Sequence, residues 1–171
     1  KRLKKLGEEE FRIHCVGAPQ IDELVQGFYT KRKILEEKYS IELDRDYFLL
    51  IQHPVTEELE TATVQIKTTM DALNQFEIPK IVILPNNDAG SSKIREGIEG
   101  NRQGEFYIFA NLPRQDYLGF LKNTVCVIGN SSSGIIEAPS FKVPCVNLGR
   151  RQNMRVRGNN VLDIPFEKNK I

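Results

Sequence analysis

Val125-Cys126-Val127-Ile128-Gly129-Asn130-Ser131-Ser132-Ser133-Gly134-Ile135-Ile136-Glu137 is the stretch whose reading decides the fold. An apolar run breaks at Gly129, small polar residues follow, and the pattern turns helical through Ile135, Ile136 and Glu137. This is a buried strand, a loop rich in hydroxyls and a helix with little bulk in its first turn. Such a junction suits an anion, because the first N–H groups of a helix lack partners and carry partial positive charge. Small residues let a phosphate approach the backbone, and serine hydroxyls add donors. Glu137, about one turn in, lies beyond the phosphates, where it accepts hydrogen bonds from sugar hydroxyls. Asn and Ser after a strand are also ordinary N-cap residues, and a Gly there also marks a plain tight turn. The pattern is neither the Rossmann glycine fingerprint nor a P-loop, so the flanking sequence has to decide.

At 171 residues the chain has enough length for one good core, or one domain and part of another. A net charge of +1 with mixed signs argues against nucleic acid and membrane partners. No apolar run approaches the roughly 20 residues of a membrane span, and no stretch of the sequence reads as a signal peptide. The three cysteines, Cys15, Cys126 and Cys145, each fall in an apolar strand-like run, which reads as buried free thiols in a reducing cytoplasm. Their spacing and a count of two histidines give no metal site. The chain starts in a helix-like run without Met and stops at Ile171 after a strand, which reads as a piece of a larger protein.

The remaining punctuation repeats one unit. Residues 1–10 read as the end of a helix closing at Gly7, and Phe11–Val16 as a short strand. Ile21, Leu24, Val25, Phe28, Leu35 and Tyr39 recur at helical spacing and predict a helix over about 21–38. Strands follow at 47–51, 80–84, 106–109, 125–128, 143–148 and 161–164, with helical patterns between the earlier ones. The helix after the second of these loops centres on Ile94 and Ile98, and Thr56 is placed to cap the one before it. The helix after the serine loop reads as continuing to about Phe141. Consecutive apolar residues in these strands indicate burial on both faces, and short connections indicate βαβ units. The fold class is therefore α/β, a Rossmann-like parallel sheet with helices on both faces.

Ligands of such folds bind outside the carboxyl ends of the strands. His53, Asn86, Asn87, Asp88, Leu112, Ser131, Ser132 and Arg151 all fall just past strand ends, so their loops converge on one crevice. Each has a plainer reading. A histidine at a strand end is often satisfied by a carbonyl, Asn and Asp after Pro85 invite Asx-turns, and Arg150 and Arg151 suit a solvated loop. An Arg in that loop also suits bidentate contact with a phosphate. Arg155 and Arg157 extend the basic stretch, but no aromatic interleaves as nucleic-acid stacking requires. The residues themselves lead to a nucleotide or other phosphate-bearing ligand.

Gly129–Glu137, followed by Pro144-Cys145-Val146-Asn147-Leu148-Gly149-Arg150-Arg151-Gln152, closely resembles the hydrolysing UDP-N-acetylglucosamine 2-epimerases. Val16-Gly17-Ala18-Pro19 with Ile21-Asp22, His53-Pro54-Val55-Thr56, and Pro85-Asn86-Asn87-Asp88-Ala89-Gly90 fit the same family in the same order. The resemblance implies one half of a GT-B architecture, two Rossmann-like domains with substrate between them. Residues 1–18 would end the N-terminal domain, 19–43 connect, and 44–171 form most of the C-terminal, UDP-binding domain without its last helix. It implies conversion of UDP-N-acetylglucosamine to N-acetylmannosamine and UDP, with no cofactor. In that scheme Ser131 and Ser132 hold the pyrophosphate, and His53 donates to a phosphate oxygen, more effectively if protonated. Arg151 adds charge near the phosphates, Glu137 bridges the ribose hydroxyls, Asn86 touches the nucleotide, and the Leu112 backbone reads the uracil edge. The family's acid and base carboxylates belong to the absent domain, so this chain alone is expected to bind UDP weakly without turnover. A homo-oligomer is expected of the full-length protein. Rival readings are a GT-B glycosyltransferase and a non-catalytic, flavodoxin-like nucleotide-binding module.

Overall fold

Helices and strands alternate as the apolar punctuation requires, and the computed structural model describes residues 2–171. The elements in chain order are α1 (Arg2–Lys5), α2 (Asp22–Val25), α3 (Arg32–Tyr39), β1 (Phe48–Ile51), α4 (Ala62–Leu73) and β2 (Lys80–Ile83). They continue with α5 (Ser91–Asn101), β3 (Phe106–Phe109), α6 (Arg114–Asn123), β4 (Cys126–Gly129), α7 (Ser133–Ile136), β5 (Cys145–Leu148) and β6 (Val161–Ile164). Among the described residues no helix is long and apolar enough to cross a membrane.

The six strands form one parallel sheet in the order β3-β2-β1-β4-β5-β6. The chain winds outward from β1 in one direction, then returns to β1 and winds outward in the other. Strand order therefore reverses between β1 and β4, where the connections leave toward opposite ends and open a crevice. Register fixes that point, with Leu50 opposite Ile128 and Ile51 opposite Gly129.

Alternation along the central strands divides the core in two. Leu49 and Ile51 face one side, where Leu35, Leu118 and Phe120 from α3 and α6 cover them. Leu50 and Ile128 face the other, against Ile66 and Met70 of α4 and Ile94 of α5. Each of these side chains is at most 5% exposed, and burial on that scale contributes about 1.5–3 kcal/mol per large aliphatic residue.

Four expectations need correction. Phe11–Val16 is not a strand: a single 3-10 turn, Glu10–Arg12, is followed by unpaired extended backbone. Phe11 and Val16 stand 71% and 79% exposed, and Cys15 is exposed with them, since no neighbouring strand takes their N–H and C=O groups. The expected helix over 21–38 breaks at Gly27, whose φ of 78° is left-handed. Phe28 N–H donates to Glu23 O and Gly27 N–H to Leu24 O, the paired bonds that close a helix with Gly at C′. Thr56 caps no helix; it opens a 3-10 turn, Thr56–Glu58, and α4 begins only at Ala62. The helix after the serine loop stops at Ile136 and passes into a 3-10 turn over Ala138–Phe141. Pro139 has no N–H to continue the α ladder. The helix end expected within residues 1–10 does close at Gly7: α1 covers Arg2–Lys5, Gly7 N–H donates to Lys4 O and Glu8 N–H to Leu3 O around a Gly7 φ of 88°, and Lys1 lies outside the described residues.

The segment before β1 is held to α6 by a buried carboxylate. Asp116, 3% exposed, accepts from the Thr30 hydroxyl, Lys38 Nζ at 2.6 Å and the Tyr39 hydroxyl at 2.6 Å. Burial alone would raise its pKa, but these donors hold it below the usual carboxylate value.

Candidate functional site

The crevice at the strand-order reversal has a volume of 340 Å³ and is lined by His53, Asn86, Ser131, Ser132, Glu137 and Arg151, with Tyr117 and Ser133 beneath. Six of the residues singled out from sequence therefore meet in one hollow. Leu112 does not line it; its side chain packs on the core under α6. Its neighbour Asn111 lines an adjoining hollow together with Asn86. Among the described residues the Leu112 N–H and C=O make no hydrogen bond, so both remain available to a ligand.

Gly129 makes the reversal possible. Its φ is 129°, and a Cβ there would lie 2.0 Å from the Ile51 carbonyl oxygen, inside contact distance. With the two backbones this close, Asn130 stitches β1 to β4. Its N–H donates to Ile51 O at 3.1 Å, its Oδ1 accepts from His53 N–H at 2.7 Å, and its Nδ2 donates to His53 O at 2.8 Å. Gln152 Nε2 and Arg151 Nη1 donate to the Asn130 carbonyl at 2.8 and 3.1 Å. One fully buried side chain thus fixes the His53 backbone, and its main chain anchors the Arg loop.

The serine loop presents donors without a long helix behind it. Among the described residues the N–H groups of Ser131, Ser132 and Gly134 donate to nothing, while Ser133 N–H donates to Ser131 Oγ at 3.3 Å. α7 is a single turn, so the anion affinity expected of a helix dipole rests here on free amides and hydroxyls. Ser133 is itself engaged by the Tyr117 hydroxyl from α6.

His53 Nδ1 is buried without a partner among the described residues. Burial, then the nearby Arg151 cation, push the His53 pKa down to about 4, with Asp88 opposing. The protonated state expected to aid phosphate contact is therefore disfavoured at neutral pH. Arg151 has its own pKa lowered by burial and by Arg155, against Asp88, and forms no ion pair among the described residues. Glu137, 7% exposed, is paired with Arg114 Nη1 at 2.5 Å.

Asn130, Tyr117, Ser133 and Arg114 complete the site although the sequence reading assigns them nothing. For Asn130 the signal was its place directly after a strand-ending Gly. For the others, position on α6 or α7 says little until the helices are packed.

A family model described as UDP-N-acetylglucosamine 2-epimerase matches residues 1–171. The chain belongs to that epimerase family. It is 38% identical over 165 residues to the UDP-N,N'-diacetylbacillosamine 2-epimerase (hydrolyzing) of Legionella pneumophila, covering 96% of this chain and 44% of that protein. It is 34% identical to the GDP/UDP-N,N'-diacetylbacillosamine 2-epimerase (hydrolyzing) of Campylobacter jejuni, with 95% and 44% covered. The chain thus spans less than half the length of these curated relatives. The UDP-GlcNAc 2-epimerase structure from Methanocaldococcus jannaschii superposes with a TM-score of 0.72 at 21% identity, over 98% of this chain and 49% of that one. The Neisseria meningitidis enzyme bound to UDP-GlcNAc gives 0.72 at 13% identity, over 98% and 47%. These two likenesses place the fold, an α/β half of a GT-B-like epimerase.

Proposed function

We propose that this chain is the UDP-binding half of a hydrolysing UDP-N-acetylglucosamine 2-epimerase. Residues 1–18 would end the other domain and 19–43 connect the two. The observation that carries the reading is the set of Ser131 and Ser132 amides, free among the described residues, in one crevice with Arg151, which has no ion pair among them, and with His53 Nδ1, buried and unpartnered among them. Together they match a pyrophosphate, whose oxygens accept and whose charge offsets Arg151. In the proposed reaction a base on the missing domain removes the C2 proton as the C1–O bond to UDP breaks. Water then adds across the resulting double bond, its oxygen to C1 and a proton to C2 from the opposite face, giving the free 2-epimer. Charge develops on the departing UDP, so the serine loop, His53 and Arg151 lower the barrier by holding that charge. Glu137 holds the ribose and Asn86 the nucleotide, with Leu112 offering its backbone to the base.

A second sugar has specific support. The relatives at 38% and 34% identity carry a diacetylbacillosamine name, whereas the Neisseria meningitidis relative named UDP-N-acetylglucosamine 2-epimerase is 29% identical. Incubating the full-length protein with each UDP-sugar and no acceptor, and following products by NMR, distinguishes them. Free epimerised sugar plus UDP is expected; product formed only with an added acceptor overturns the reading in favour of a glycosyltransferase. Glu137→Ala is expected to weaken UDP roughly tenfold, the worth of one hydrogen-bond pair to a charged group. Unchanged affinity by calorimetry would favour a generic phosphate-binding module instead.

A further inference from the structure

Glu137 is buried, and among the described residues a single cation reaches it. That cation, Arg114, opens α6 directly after Leu112-Pro113, so the loop offered to the base also carries the partner of the ribose carboxylate. All three guanidinium nitrogens are used. Nη1 meets Glu137 Oε1 at 2.5 Å, Nε meets Glu23 Oε2 at 3.1 Å, and Nη2 donates to Gln20 O at 3.0 Å. Glu23 lies in α2 and Gln20 in the turn before it, the segment that leads into the sheet. Arg114 is therefore a fork whose orientation depends on that segment and whose third tine fixes Glu137. Glu137 Oε2 makes no hydrogen bond among the described residues and stays open to the crevice it lines.

We infer that Arg114 is a positioning residue for ribose recognition, and that Glu23 and the Gln20 carbonyl hold it in place. The geometry gives Glu137 one engaged oxygen and one presented oxygen, so the carboxylate is aimed before ligand arrives. A planar, preorganised fork does this at less entropic cost than a flexible lysine. The same contacts make the aim of Glu137 sensitive to any displacement of residues 20–23, coupling that segment to the grip on the nucleoside.

The inference rests on Glu137 contacting ribose, and titration with UDP and 2′-deoxy-UDP separates the two claims. In the full-length wild type UDP should bind roughly tenfold more tightly than 2′-deoxy-UDP, the scale of one charge-assisted hydrogen bond. Arg114→Gln should lose most of that ratio by weakening UDP while leaving 2′-deoxy-UDP nearly unchanged, and the latter also reports that the variant is folded. Arg114→Lys should keep only part of the ratio, and Glu23→Gln should lower it by a smaller factor. Equal weakening of both ligands, or an intact ratio in Arg114→Gln, overturns the inference while leaving the UDP reading in place. A wild type that does not distinguish the two ligands, or binds neither, overturns the ribose role of Glu137 and this inference with it.

Discussion

Asn130→Ala is expected to lower the stability of the protein by about 2–5 kcal/mol, since it strips both partners from buried backbone groups. The Asn130 side chain accepts from His53 N–H at 2.7 Å and donates to His53 O at 2.8 Å, and it is fully buried. Alanine leaves a donor and an acceptor without partners beside a cavity too small for the chain to collapse into easily. Function should fall with stability. The His53 backbone is tied through the Asn130 side chain, so UDP affinity measured under folding conditions should drop as well. Asn130→Asp isolates the donor. It keeps an acceptor toward His53 N–H but faces a carboxylate oxygen to His53 O. That repulsion and burial would raise the folded-state pKa of the new acid above its unfolded value of about 3.9. Stability of Asn130→Asp should therefore be greatest at low pH, where the protonated acid donates, and be lost as pH rises through the raised pKa. Urea denaturation across pH checks both variants; a midpoint for Asn130→Ala equal to wild type would sink the argument.

The sheet was legible because its strands are short apolar runs closed by Gly, Pro or Asn, and six such runs separated by helical patterns leave few topologies. The crevice followed from that, since His53, Ser131, Ser132 and Arg151 end strands that parallel pairing must place side by side. What remained hidden depends on contacts between distant segments. Phe11–Val16 has strand-like composition, but a strand exists only where another offers its edge. The helix over 21–38 has the right periodicity, yet Gly27 closes it in a left-handed turn. The serine-loop helix reads as long until Pro139 removes the next donor. The Arg114–Glu137 pair joins the start of α6 to the residue just after α7, which no periodicity relates, and the packing of α6 against the 3-10 turn over Ala138–Phe141 brings them together. The loops pointed to a phosphate-bearing ligand; the packing decided which side chains meet around the crevice.

UDP affinity should rise roughly thirtyfold as pH falls from about 7.5 to 5 through His53 alone, with the bound phosphate restoring its pKa to about 6.5. Burial, then Arg151, hold His53 near pKa 4, so the imidazole is neutral at pH 7. Its Nδ1 has no partner among the described residues. A pyrophosphate reverses both influences: its charge outweighs Arg151 and its oxygens accept from the ring. Ligand binding then takes up a proton, and a group whose pKa rises on binding favours the complex at lower pH. The terminal phosphate of UDP also gains a proton near pH 6, which acts in the opposite direction. The comparison of wild type with His53→Gln cancels that common part, and the steeper pH slope should belong to wild type. Stability of the free protein should show the other sign. The folded pKa of His53 lies below its unfolded value, so its contribution is full above about 6.5 and is lost as pH falls toward 4. Acid thus weakens the empty fold and strengthens the complex through one imidazole, and His53→Gln should flatten both trends together. Identical pH slopes in wild type and His53→Gln, by calorimetry, would show that no proton is taken up at His53.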